Sequence, residues 1–117
     1  MKKRLLVAED EQDLQTIYRL MLGDAYEVVE AQNGREAVDL WHKTHPDLVL
    51  MDIQMPIMSG EAAIREILHA DPHAKILAVT AYRYTREELG VPVLNKGFGP
   101  SEFLLAVESA LHGRTAA

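Results

Sequence analysis

Five side chains in this sequence are suited to metal and phosphorus chemistry: the carboxylates of Glu9, Asp10 and Asp52, the hydroxyl of Thr80 and the ammonium of Lys96. Each lies at the end of a short apolar run. Leu5-Leu6-Val7-Ala8 leads into Glu9-Asp10-Glu11, and Leu48-Val49-Leu50-Met51 leads into Asp52. Thr80 ends the run from Lys75, and Lys96 follows Val91–Asn95. Near-continuous apolar runs of this length read as buried parallel strands. Open α/β sheets bind their ligands just beyond the carboxyl ends of such strands. Three carboxylates gathered there repel one another and raise at least one pKa unless a cation joins them. Carboxylate, carbonyl and water oxygens suit Mg²⁺. The expected ligands are Asp10, Asp52, the backbone carbonyl of Gln54 and waters, with Glu9 bound directly or through water. A metal-held aspartate can attack phosphorus. The cation and Lys96 can offset charge on a transferred phosphoryl group, and Thr80 can hydrogen-bond one of its oxygens. These parts specify an acyl-phosphate site with Asp52 as acceptor.

The elements that position these groups follow from periodicity and punctuation. Strands are expected at 4–8, 26–31, 47–51, 75–80 and near 91–95. Helices are expected at 12–22, 35–44, 59–70 and from about Pro100-Ser101 to Gly113, with Ser101 as N-cap. Leu14, Ile17, Tyr18 and Met21 form the expected inward stripe of the first helix. Ala37, Val38 and Trp41 do so for the second, and Ala63, Ile64, Ile67 and Leu68 for the third. Phe103, Leu104, Val107, Ala110 and Leu111 do so for the last. Glu27 and Glu30 flank Val28-Val29, which marks the second strand as an edge. Alternating strands and helices predict a doubly wound α/β fold of the flavodoxin-like type, with a five-stranded parallel sheet in the order 2-1-3-4-5. Residues 81–91 sit near the lower bound of roughly 10–12 residues for a whole crossover. The fourth helix is therefore expected to be short or irregular, near Thr85–Leu89.

Composition removes other classes. The chain has 117 residues, enough for one domain with a real core, and we read 1–117 as that domain. Its net charge of −6 argues against direct nucleic-acid binding, which needs a basic face. The absence of cysteine excludes disulfide and thiol chemistry. Met1-Lys2-Lys3-Arg4 and the apolar run after it are cut short at Glu9, too soon for a signal peptide. No stretch nears the roughly 18 apolar residues of a membrane span. A cytoplasmic location without membrane attachment is the resulting expectation. No Gxxxx-GK[ST] loop is present, which argues against nucleotide binding. His42, His45, His69 and His73 read as solvated surface residues, because no third metal ligand lies near them in sequence.

The pair Glu9-Asp10, the segment Asp52-Ile53-Gln54-Met55-Pro56-Ile57-Met58-Ser59-Gly60, then Thr80-Ala81 and Lys96, resemble the receiver domains of two-component response regulators. The resemblance spans nearly all of the chain. It implies phosphorylation of Asp52 by a histidine kinase or histidine phosphotransfer protein, with Mg²⁺, and no external substrate turned over as by an enzyme. It implies that Thr80 moves towards the phosphoryl group and reshapes the face around strands four and five, where a downstream protein binds. It also implies that Gln54 and Tyr82 tune phosphate lifetime.

Three departures stand out. Lys96 precedes Gly97 where the family has proline after a cis bond; a non-proline cis bond costs about 2.5–4 kcal/mol, so a trans bond, or a cis bond held by the surrounding fold, is expected here. Val93 replaces the family's aromatic residue on strand five, leaving Tyr82, Tyr84 or Phe98 as substitutes. The fourth crossover is short. Two rival readings remain. A phosphatase like those of the haloacid dehalogenase family would carry a second acid two residues after its nucleophile, where this chain has Gln54. A receiver-like binding scaffold working without phosphate fits the three departures but leaves the intact acid, threonine and lysine set unexplained.

Overall fold

The computed structural model describes residues 1–113. Five strands, β1 (Lys3–Ala8), β2 (Tyr26–Ala31), β3 (Leu48–Asp52), β4 (Ile76–Thr80) and β5 (Val93–Asn95), form one parallel sheet in the order β2-β1-β3-β4-β5. Helices α1 (Gln12–Leu22), α2 (Gly34–Thr44), α3 (Gly60–Ala70), α4 (Arg86–Leu89) and α5 (Pro100–Leu111) alternate with them. A single 3₁₀ turn at Gly23–Ala25 links α1 to β2. The expected fold class and strand order are those observed.

Two packed layers cover the sheet. On one face, Leu6, Ala8, Val49, Met51, Ile76 and Ala78 meet Ala37 and Val38 of α2, Ala63, Ile64 and Ile67 of α3, and Leu89 of α4. On the other, Leu5, Val7, Leu48, Leu50, Leu77 and Leu94 meet Tyr18 and Leu22 of α1 and Phe103, Val107 and Ala110 of α5. Alternate residues of each strand feed opposite layers, so the central runs must be apolar throughout. β2 pairs only with β1, and its burial is patchier, in keeping with an edge.

The amino ends of the strands are tied down by polar contacts. The Arg4 backbone N–H donates to Asp47 Oδ2 at 2.7 Å, and the Asp47 N–H returns a bond to the Arg4 carbonyl at 2.7 Å. The Arg4 guanidinium donates to the carbonyl of Thr44, the last residue of α2, and to Glu27 at 3.1 Å. A cation there complements the negative end of the helix dipole. Lys75 does the same for α5, donating to the Leu111 carbonyl at 2.5 Å.

Several details depart from the expectations. α5 is capped by Gly99, not Ser101, and Pro100 occupies its first turn. Proline lacks the N–H that the first turn leaves unpaired and already has a helical φ, so the helix starts ahead of the serine. On α1 the buried line is Gln15, Tyr18 and Leu22, whereas Ile17 is 46% exposed. Leu104 on α5 is likewise 40% exposed. In both cases the apolar stripe is wider than the face that the sheet covers. β5 is shorter than the expected 91–95, because Pro92 has no N–H for a ladder and its carbonyl instead accepts from Ala78 at 2.9 Å. α4 is one turn long, held by a complete capping box. The Thr85 hydroxyl accepts from the Glu88 N–H, the Glu88 carboxylate accepts from the Thr85 N–H, and Gly90 closes it with φ 76°.

Phe103 has no exposed surface and is the largest of the fully buried side chains among the described residues. Phe103→Ala is expected to cost about 3–5 kcal/mol by lost burial and a residual cavity. Urea unfolding at equilibrium measures this, and a loss under about 1 kcal/mol would contradict the packing described.

Candidate functional site

Strand register builds the site. Ala8 pairs with Met51, so Glu9 and Asp52 follow on adjacent strands. Asp52 pairs with Val79 and Thr80 with Asn95, which brings Thr80 and Lys96 alongside. The loop from Ile53 to Ser59 then folds back beneath the strand ends. Gly60 makes this possible, because a Cβ on it would lie 1.9 Å from the Asp52 carbonyl oxygen. Its N–H donates to the Ile53 carbonyl at 2.9 Å, and Ser59 caps α3 by accepting from the Ala62 N–H. Within the loop Ile57 has φ 69° and is 84% exposed. That region is unusual for a β-branched residue and marks local strain.

Glu9, Asp10 and Asp52 each place a carboxylate oxygen within 4.8 Å of the others. Glu9 and Asp52 are buried, at 0% and 3% exposure, and Asp10 is exposed. The Lys96 ammonium bridges the two buried acids, 3.3 Å from Asp52 Oδ1 and 3.4 Å from Glu9 Oε1. Neither oxygen has a well-directed hydrogen bond among the described residues. The other Glu9 oxygen accepts the Glu11 N–H at 3.2 Å. One ammonium thus bridges two of the three clustered carboxylates.

The titration behaviour follows. Burial, and next the Asp52 charge, push the Glu9 carboxyl from its ordinary 4.5 up to about 7. Burial also raises Asp52, with Lys96 pulling the other way. Burial disfavours the Lys96 ammonium, but Asp52 and Glu9 outweigh it and the lysine pKa rises. Burial is the main cause for the two acids, and the charge of those two acids is the cause for Lys96. Orphaned buried carboxylate oxygens clustered with an exposed third acid fit a hard divalent cation.

Thr80 is fully buried at the end of β4. Its hydroxyl accepts the Tyr82 N–H at 3.0 Å and lies 3.4 Å from Gln54 Oε1. The Thr80 carbonyl accepts the Lys96 N–H at 2.8 Å, so β4 positions the start of the Lys96 loop. No peptide bond among the described residues is cis, so Lys96–Gly97 takes the trans form of the two alternatives, with Gly97 at φ 100°. Phe98 then anchors the loop. Its ring stacks on Phe103 at 5.2 Å and on Tyr18 at 6.2 Å, and Tyr18 and Phe103 stack at 5.4 Å. Among the candidate substitutes for the absent strand-five aromatic, Phe98 joins this stack and Tyr84 packs against the α2–α3 layer beside Val93. Tyr82 is 61% exposed. An open cleft of about 400 Å³ adjoins Asp10, lined by Gln54, Met55, Pro56, Ser59 and Tyr84.

The structure therefore brings together the residues read from the sequence as a site: Glu9, Asp10, Asp52, Gln54, Thr80 and Lys96. None of the four surface histidines joins a three-ligand group among the described residues. Sequence reasoning missed Gln15, which is buried beneath the Glu9–Glu11 turn. Its one signal was a polar residue on the line 15, 18, 22 of an otherwise apolar helix face.

A doubly wound parallel sheet with an acidic centre at its strand ends defines the class of protein. A sequence profile of the response regulator receiver domain matches residues 5–107, and the chain belongs to that family. It is 46% identical over 87 residues to the chemotaxis protein CheY of Thermotoga maritima, which covers 69% of each chain. A two-component response regulator of the LuxR family from Aurantimonas sp. superposes with a TM-score of 0.89 at 31% identity, over 100% of this chain and 90% of that one. The response regulator protein TrrA from Thermotoga maritima, solved in complex with Mg(2+)-BeF, superposes at 0.85 with 33% identity, over 94% and 99% of the two chains.

The Glu9 shift sets a pH dependence. A carboxyl whose pKa is higher folded than unfolded binds its proton more tightly in the folded state. Its contribution to stability is complete below 4.5 and is lost as pH rises to about 7. Urea unfolding of the metal-free protein is expected to show a falling midpoint across that window, and Glu9→Gln should flatten the fall. Equal slopes for wild type and Glu9→Gln would contradict the charge arrangement.

Proposed function

We propose that this receiver domain is a phosphoacceptor switch. A histidine kinase or histidine phosphotransfer protein donates, and Asp52 accepts. An Asp52 carboxylate oxygen attacks phosphorus, the P–N bond of the donor phosphohistidine breaks, and its electron pair stays on the imidazole. The observation that carries this reading is the buried Asp52 carboxylate, with Oδ1 3.3 Å from the Lys96 ammonium and clustered with Glu9 and Asp10.

Glu9, Asp10, Asp52 and the Gln54 carbonyl are the residues that hold Mg²⁺. Mg²⁺ supplies charge neutralisation for the nucleophile and for the incoming phosphoryl oxygens. The match to a structure containing Mg(2+)-BeF supports this assignment. Lys96 offsets charge on the phosphoryl group through its ammonium. Thr80 leaves its local partners, the Tyr82 N–H and Gln54, to donate its hydroxyl to a phosphoryl oxygen. Because Thr80 also carries the carbonyl that receives Lys96, its shift passes to β5 and to the surface around α4. The domain works in the cytoplasm, turns over no external substrate and signals to a separate protein.

A second reading, a scaffold that binds its partner without phosphate, is favoured by the one-turn α4 and by Val93. Intact mass after incubation with acetyl phosphate separates the two. One added phosphoryl group is expected, requiring both Mg²⁺ and Asp52, and absent from Asp52→Asn. No adduct from either acetyl phosphate or a phosphorylated histidine donor would overturn the switch reading. A partner binding Asp52→Asn as tightly as the phosphorylated wild type would favour the scaffold.

A further inference from the structure

We propose that Gln15 is a positioning residue for the acid pair, clamping the Glu9–Glu11 turn in the geometry that divalent-cation binding needs. The inference rests on the cation-binding reading above and assigns a role to a residue outside the acid, threonine and lysine set.

Gln15 lies on the sheet-facing side of α1 and is 4% exposed. An apolar side chain would satisfy the packing at this position, between the apolar layer and the line of Tyr18 and Leu22. The amide instead turns its nitrogen onto three backbone carbonyls: Val7 at 3.1 Å, Glu9 at 3.1 Å and Ala31 at 3.0 Å. Three acceptors around one end of the amide require that end to be the NH₂. Val7 lies in β1, Ala31 ends β2, and Glu9 opens the turn that carries Asp10. The Glu9 N–H also donates to the Ala31 carbonyl, at 3.0 Å. One side chain therefore pins the ends of two strands and the first residue of the turn to the same point.

The grip is two-sided. The Gln15 backbone N–H donates to the Glu11 carbonyl at 3.0 Å, while its side chain donates to the Glu9 carbonyl. Asp10 sits between these two holds. Its own carboxylate is exposed, so the turn rather than packing around the side chain sets where it points. Binding constellations tolerate displacements of only about 0.5 Å, and their supporting hydrogen bonds decide whether they keep that tolerance. Among the described residues the Gln15 side chain donates to backbone carbonyls and to no carboxylate. It acts through the backbone that carries two of them.

The test is calorimetric titration of metal-free protein with Mg²⁺. Gln15→Met keeps length and volume and removes both donors. The expected result is an apparent Kd about 10-fold higher, at the lower end of the roughly 10–100-fold loss seen when residues supporting metal ligands are removed. Val107→Ala, in the α5 layer away from the acids, serves as the stability control and is expected to leave the Kd within twofold of wild type. Amide exchange adds a readout independent of metal. The Glu9, Asp10 and Glu11 amides are expected to exchange faster in Gln15→Met than in Val107→Ala. If Gln15→Met does not fold, Gln15→Asn, one methylene short of the same carbonyls, is expected to weaken binding in the same direction. Wild-type binding with an unchanged Kd in the Gln15 variant, or an equal change in Val107→Ala, overturns the proposal and leaves the cation-binding reading standing. A wild-type protein that takes up no Mg²⁺ overturns both.

Discussion

The structure is organised around an unbalanced charge. Three carboxylates gather at one point, two of them shut away from water, and one ammonium bridges those two. A protein folding for stability alone would not place Glu9 and Asp52 side by side, since burial and mutual repulsion both oppose their ionisation. The sheet tolerates the arrangement because its register leaves no alternative. With β1 and β3 adjacent and in phase, the residue after each apolar run has to meet the other. The apolar layers above and below provide the stability against which this local cost is set. Rules of burial that hold everywhere else give way at one place, the usual mark of a site kept for its chemistry.

The cation within this cluster is held by means other than a proline. Lys96 receives its direction from its own N–H bonded to the Thr80 carbonyl and from Phe98 two residues on. Gly97 between them has a positive φ and no restraint of its own. The Tyr18–Phe98–Phe103 stack thus ties the lysine loop to α1 and α5 together. Aromatic stacking of this kind contributes about 0.5–1.5 kcal/mol per pair beyond area burial.

Much of this was legible in the linear sequence because the relevant signals are strong and repeated. The runs Leu5–Ala8 and Leu48–Met51 are apolar without alternation, which only a strand covered on both faces requires. The acids, Thr80 and Lys96 all sit where those runs stop, so strand order alone brings them together. What escaped was whatever depends on the angle of a helix about its axis. Ile17 and Leu104 look as inward as their neighbours, yet the sheet reaches only part of the apolar stripe. Gln15 went unremarked, because nothing in a sequence says that a polar group has three carbonyls within reach. Ser101 has the chemistry of a cap but lost the position to Gly99, since Pro100 fits the first turn better. Periodicity identifies elements and residue chemistry identifies a site, while contacts set by side-chain reach have no sequence signature.

The clamps on Arg4 and Lys75 give the molecule a mechanical polarity. At the amino ends of the strands, the Arg4 N–H donates to the Asp47 carboxylate and the Asp47 N–H to the Arg4 carbonyl, the Arg4 guanidinium grips the end of α2, and Lys75 grips the end of α5. At the carboxyl ends, the corresponding places are taken by carboxylates with an oxygen still unsatisfied. The polar ties at the base are complete, whereas the rim, though Gln15 pins the turn that carries two of its acids, keeps carboxylate oxygens open to a further partner.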